Sequence, residues 1–195
     1  MREAIIDRKT RETKIKMRLN LDGEGKANIH TGIGFMDHML ELFAFHGSFD
    51  LDVECDGDIE VDSHHSVEDI GIVLGDCIKE ALGDKLGIYR YGFFKMPMDE
   101  TLFETTLDIS GRPFLVYNAT LNTQVLGNYE TEMTEEFFRA VAMHSLMTLH
   151  LNLIYGVNTH HIIEAMFKSF ARALKQAVTI DESQKDKVVS SKGIL

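Results

Sequence analysis

The chain has 195 residues, 44% of them hydrophobic, and a formal net charge of −11. That length suits one compact domain or two small fused halves with an ordinary core, and the negative charge opposes nonspecific binding to nucleic acid, which needs a basic surface to displace counterions. The first eight residues lack the apolar run of a signal peptide, and no later stretch is long and apolar enough to span a bilayer, so the expectation is a cytoplasmic protein without membrane contact. Cys55 and Cys77 are its two cysteines, and the reading takes both as reduced packing residues.

Along the chain, residues 12–22 alternate polar and apolar, the period of a half-buried strand, and Gly23 and Gly25 close it in a turn from which Lys26–His30 is expected to pair back. After Gly32 and Gly34, Phe35–Phe45 has helical periodicity. Phe49, Leu51, Val53 and Cys55 then alternate with acidic residues, which predicts a strand with one wet face. A helix opens near Ser63 and ends near Gly83 or Gly87. The order then repeats. Strands are expected at 102–109 and 113–120 around a Ser110-Gly111 turn, a helix at 132–148, a strand at 149–155 and a helix at 158–177. The predicted fold is therefore α+β, a duplicated half-domain of order β-β-α-β-α, each half a small, mostly antiparallel sheet with two helices on one face. The halves are assigned to residues 1–87 and 88–195. Two prolines and no low-complexity run argue against a flexible linker between them.

The duplication is clearest in chemistry-bearing residues. Ser63-His64-His65-Ser66-Val67-Glu68-Asp69 recurs as Thr159-His160-His161-Ile162-Ile163-Glu164-Ala165. On a helix the first histidine and the glutamate stand one turn apart on the same face, while the second histidine is rotated by about 100°. Adjacent imidazoles therefore serve two different metal centres, each completed by ligands from elsewhere in the chain or from another subunit. A single His-His pair at a helix start usually means solvated polarity, but two copies with the same glutamate offset favour metal. His38 and Glu136 occupy matching places in the first helix of each half and are further candidates. For His30, His144 and His150 a structural role is the better reading, with His46 the exception most apt to be functional.

These residues resemble the imidazoleglycerol-phosphate dehydratases of histidine biosynthesis. The resemblance runs nearly end to end and is carried by Thr31–Leu40, His64–Gly71, Met98-Asp99-Glu100, Asp108–Pro113, Asn158–Ala165 and Ser190-Ser191-Lys192-Gly193. It implies a hydro-lyase with two Mn(2+) ions per active site, shared between subunits of a 24-subunit homo-oligomer, and a small phosphorylated imidazole as substrate. The ligands carried over are His38, His64, His65, Glu68, His160, His161 and Glu164. At position 136 the family commonly has histidine; here either Glu136 takes its place or His144 substitutes.

The implied reaction removes water from imidazoleglycerol phosphate to give imidazoleacetol phosphate. The departing proton sits on a carbinol carbon beside no carbonyl, so a base cannot take it directly. Metal ions on the ring nitrogens make the imidazolate accessible, and the ring expels the neighbouring hydroxyl to give a diazafulvene with an acidified C–H. Glu12 is the implied proton carrier, with Glu68 and Glu164 beside it at the reacting centre. Arg90, Arg112, Lys168, Ser190, Ser191 and Lys192 are phosphate candidates, the last three making the C-terminal segment a substrate-binding tail, and His46 is a further substrate contact. Two competing readings are a dinuclear metallohydrolase, which lacks an aspartate-rich ligand set, and an oligomer whose ions only knit subunits together.

Overall fold

The structure, a computed structural model, describes residues 1–193 and 195. Its first sheet contains β1 (Glu3–Lys9), β2 (Thr13–Asn20), β3 (Ala27–His30) and β4 (Asp50–Gly57) in the order β1-β2-β4-β3. Helix α1 (Gly34–Gly47) joins β3 to β4, and α2 (His64–Leu82) follows β4. The second sheet repeats the pattern. It is built from β5 (Tyr91–Met98), β6 (Thr101–Asp108) and β7 (Phe114–Asn118), then, beyond a short hairpin of β8 (Val125–Leu126) and β9 (Tyr129–Glu130) and helix α3 (Met133–Ser145), from β10 (Thr148–Tyr155). Its order is β5-β6-β10-β7, and α4 (Thr159–Val178) follows β10.

The α+β duplication stands, with one more leading strand per half than the sequence pattern predicted, so each half runs β-β-β-α-β-α. Both extra strands, β1 and β5, lie at sheet edges. A second correction concerns Lys26–His30. It does not pair back on β2; β3 instead lies parallel to β4, with Ile29 opposite Val53, and α1 is the crossover that parallel pairing requires. In the same way β7 is joined to β6 by the Ser110-Gly111 turn but pairs in parallel with β10.

Alternation makes each sheet one-sided. In β2, Ile15, Met17 and Leu19 are fully buried while Lys14 and Lys16 point to solvent. The helices cover the buried faces and meet one another in the middle: α1 packs on α4, and α2 on α3. Phe43 of α1 stacks on Phe170 of α4 at 5.6 Å, and Phe138 of α3 meets Phe170 edge-on at 5.4 Å. This aromatic seam joins the two halves into one core. The α2–α3 approach depends on Gly71 and Gly75, because a Cβ at Gly71 would lie 2.7 Å from the Phe137 carbonyl oxygen and one at Gly75 2.9 Å from that of Val141.

Candidate metal centre and its surroundings

The two His-His motifs open α2 and α4, as their spacing requires. The Asn158 side chain caps α4 by accepting the His161 N–H at 3.3 Å. One turn inside, His160 Nε2 lies 3.2 Å from Glu164 Oε2. In α2 the equivalent His64 Nε2 and Glu68 Oε2 are 3.6 Å apart. The planes of the neighbouring rings are inclined at 65° between His64 and His65 and at 81° between His160 and His161.

His38 reaches the α4 pair from α1. The start of α1 is fixed by Asp37, whose carboxylate accepts the Thr31 backbone N–H at 2.9 Å and also the Thr31 hydroxyl. His38 then projects its Nε2 to 3.7 Å from Glu164 Oε2. One ligand atom from each of His38, His160 and Glu164 falls within 4.8 Å of the others, the one such cluster of three metal-ligating groups among the described residues. First-row ions bind such donors at about 2.0–2.2 Å, which side-chain shifts of an ångström or so would reach. Two imidazoles and a carboxylate are a chemically apt set for a borderline ion.

Glu164 is the buried member, and its two oxygens face different partners. Oε2 faces the imidazoles, while Oε1 meets Lys168 Nζ at 2.5 Å. Burial alone would raise its pKa, but the hydrogen bond and charge of Lys168, with His38 and His160, outweigh burial and hold the carboxyl below its ordinary value. Phe35 closes one side of the cluster with its ring edge-on to His160 at 5.1 Å. His46, in the last turn of α1, is half-buried; burial and the charges of Lys168 and Arg172 lower its pKa, against Glu164.

The second histidine of each pair is held by a carboxylate. His65 Nδ1 lies 3.0 Å from Asp58 Oδ2, and His161 Nδ1 lies 2.7 Å from Glu100 Oε2. Each contact raises the pKa of its imidazole. Glu100 is in turn drawn down to about 2, chiefly by His161 and then by the Asn158 N–H. Glu12 sits where the first hairpin turns, its backbone N–H bonded to the Thr10 hydroxyl, with Oε1 3.8 Å from His65 Nε2.

The remaining candidates fall in three places. Arg90, Arg112, Ser190, Ser191 and Lys192 line one cavity of about 340 Å³. Arg90 forms its wall, with Nε and Nη2 on Asp108 at 2.7 and 3.1 Å and Nη1 donating to the Val189 carbonyl at 2.7 Å. Lys168 lies with Glu164 instead, its Nζ also 3.7 Å from Met98 Sδ. Glu136 contacts Arg139 Nε at 3.4 Å, while His144, two turns along α3, bonds Asp76 of α2 at 3.1 Å. Glu68, His64, His65 and His161 are not gathered with the three-donor cluster. The sequence reading gave no role to Asp58, and it held Glu100 only within the Met98-Asp99-Glu100 run that carries the resemblance. For Glu100 a signal existed, because aligning Thr101 with Thr13 puts it opposite Glu12; for Asp58 there was none.

Comparison with known proteins covers nearly the whole chain. Residues 31–174 match the family model of imidazoleglycerol-phosphate dehydratase. The imidazoleglycerol-phosphate dehydratase of Lactococcus lactis subsp. cremoris is 60% identical over 199 residues, covering 100% of this chain and 98% of the relative. That of Acetivibrio thermocellus is 58% identical over 190 residues, 97% of both. Among solved structures, the imidazoleglycerol-phosphate dehydratase of Staphylococcus aureus superposes with a TM-score of 0.84 at 44% identity, covering 92% of this chain and 99% of that one. A Pyrococcus furiosus structure described as IGPD gives 0.83 at 33% identity, covering 97% and 100%.

Proposed function

The chain belongs to the imidazoleglycerol-phosphate dehydratase family, and from that membership we propose that it is a metal-dependent hydro-lyase converting imidazoleglycerol phosphate to imidazoleacetol phosphate in histidine biosynthesis. The observation that carries the metal dependence is the convergence of His38, His160 and Glu164 from two helices onto one point. The proposal includes two manganese ions per active site, held by His38, His64, His65, Glu68, Glu136, His160, His161 and Glu164. Bound there, the ions supply the Lewis acidity that makes the substrate's imidazolate accessible near neutral pH. The proposal extends to sites shared between subunits of a 24-subunit assembly; the side chains of His64 and Glu68, 50% and 44% accessible in the isolated chain, are open to a neighbour's ligands.

Within this reading the chain's own groups divide the work. Glu164 keeps one oxygen toward the imidazoles because Lys168 occupies the other, which fixes the carboxylate's rotation. Glu12, 53% exposed at a hairpin tip with its Oε1 3.8 Å from His65 Nε2, is the group available to take the carbon-bound proton. Glu68 pairs with His64 as Glu164 pairs with His160. In the tail cavity, Arg112, Lys192 and the hydroxyls of Ser190 and Ser191 offer charge and donors to a phosphate, while Arg90 adds charge and holds the wall. Lys168, paired with Glu164, and His46, under the charges of Lys168 and Arg172, are the groups proposed to meet the substrate's polar end. Glu136 is taken as the ligand at its position because it matches His38 in the first half; His144, whose Nδ1 bonds Asp76 and whose Nε2 is left free by that contact, is the alternative.

The test is direct. Purified protein with manganese and imidazoleglycerol phosphate is expected to form the enolised ketone, followed by its absorbance, and to stop when a chelator removes the ion. Glu12→Gln is expected to retain metal and substrate while turnover falls at least about 10²-fold. Undiminished turnover would remove Glu12 from the mechanism, and release of inorganic phosphate without ketone would mark a hydrolase instead.

A further inference from the structure

We propose that Asp58 and Glu100 are positioning residues that fix the tautomer of His65 and His161, placing the proton on Nδ1 and leaving the Nε2 lone pair free for a metal ion. The inference rests on the reading of those two histidines as metal ligands. A neutral imidazole carries one N–H and one lone pair, and the hydrogen bond made by one nitrogen decides which edge can coordinate. Asp58 presents both oxygens to His65 Nδ1, at 3.0 and 3.2 Å. Glu100 presents Oε2 to His161 Nδ1 at 2.7 Å. An ionised carboxylate only accepts, so in both cases Nδ1 must be the donor.

The duplication makes the two solutions informative. Thr13 and Thr101 open the second strand of each leading hairpin, so Glu12 and Glu100 are equivalent positions, as are His65 and His161. Yet Glu12 stands near the Nε2 side of its histidine at 3.8 Å, whereas Glu100 is committed to Nδ1. In the first half Asp58, arriving from the end of β4, takes over the orienting contact and Glu12 is released from it. Among the described residues no second carboxylate meets His161 Nδ1, Asp99 lying 3.8 Å from Nε2 instead, and the other oxygen of Glu100 is fully engaged. Its Oε1 accepts the backbone N–H groups of Asn158 at 2.9 Å and Val157 at 3.3 Å and the Thr101 hydroxyl at 3.1 Å.

That division between the oxygens of Glu100 supplies the experiment. In Glu100→Gln the amide oxygen must stay on the three donors, which turns the NH₂ toward His161. Nδ1 is then forced to accept, the proton moves to Nε2, and the coordinating lone pair is lost while the loop keeps its hydrogen bonds. Nitrogen-15 NMR of histidine-labelled, metal-free protein, at a pH where the ring is neutral, is expected to show the His161 proton on Nδ1 in the parent and on Nε2 in the variant. Manganese titration followed by electron paramagnetic resonance is expected to show one class of sites weakened about 10–100-fold, with the unfolding temperature of the metal-free protein unchanged. Asp58→Ala is expected to weaken manganese binding to a similar degree through His65. His161→Ala separates the two ideas. If it binds manganese as the parent does, the reading of His161 as a ligand falls. If it loses manganese while Glu100→Gln keeps both the Nδ1 tautomer and the parent affinity, the positioning role is overturned.

Discussion

Asp69 follows Glu68 directly and turns the opposite way, into the protein. Its carboxylate accepts the Thr13 hydroxyl at 2.5 Å and sits 2.6 Å from Arg8 Nη1, off the hydrogen-bond direction and so acting mainly as a charge partner. One buried side chain of α2 thereby ties both strands of the hairpin that carries Glu12. Asp69→Asn keeps the shape but removes the charge that faces Arg8, so it is expected to cost about 1–3 kcal/mol, read as a lower urea midpoint at constant slope. The sequence made Glu68 legible, because a glutamate four residues after a histidine has a helical meaning on its own. It left Asp69 silent, since its partners lie 56 residues or more away and no local spacing encodes them.

At the scale of elements, the helices were readable because their apolar faces are continuous: α4 buries Ile162, Ile163, Met166, Phe167, Phe170 and Leu174 at helical intervals. Strands β1 and β5 were not. Each is an edge strand with a small residue at its best-buried position, Ala4 in β1 and Gly92 in β5, and with exposed apolar residues, Ile5 in β1 and Tyr91 and Phe93 in β5, that mask the polar–apolar alternation. Gly92 is small for a reason, as a Cβ there would stand 1.9 Å from the Ala173 carbonyl oxygen of α4. Pro97 in β5 is tolerated on an edge, where a missing N–H breaks no ladder. The parallel pairing of β3 escaped for another cause: it is set by the crossover through α1, and a turn followed by a short strand looks the same as a hairpin. The glycines of α2 give the prediction at this scale. Gly75→Ala would press a methyl to 2.6 Å from His144 Cβ and against the backbone of α3, which cannot yield as a side-chain tip can. It is expected to lower stability by about 1–3 kcal/mol, measured by chemical denaturation, although alanine is the better helix former.

Across the whole molecule, the C-terminal segment returns to the start of the second sheet. Ile180 bridges Ile88, the Gly87 N–H donates to the Lys187 carbonyl at 2.9 Å, and Arg90 grips the Val189 carbonyl. A chain ending at Lys187 keeps the first two contacts and the Arg90–Asp108 pair but loses Ser190, Ser191 and Lys192 from the cavity. It is expected to unfold cooperatively and bind manganese as before, with KM for the phosphorylated substrate raised at least about 10-fold; an unchanged KM would show that the phosphate is held elsewhere. The proposed division at residues 87 and 88 falls where this returning segment bonds Gly87 on one side and Ile88 on the other, so the tail spans the junction.

His38 comes from a helix flanking the first sheet, and Glu164 and His160 come from one flanking the second. Neither partner could gather the triad by itself. A chain whose two layers slid past each other by a single helical turn would scatter these donors, so uptake of an ion doubles as an inspection of whether the duplicated pieces have closed in correct alignment.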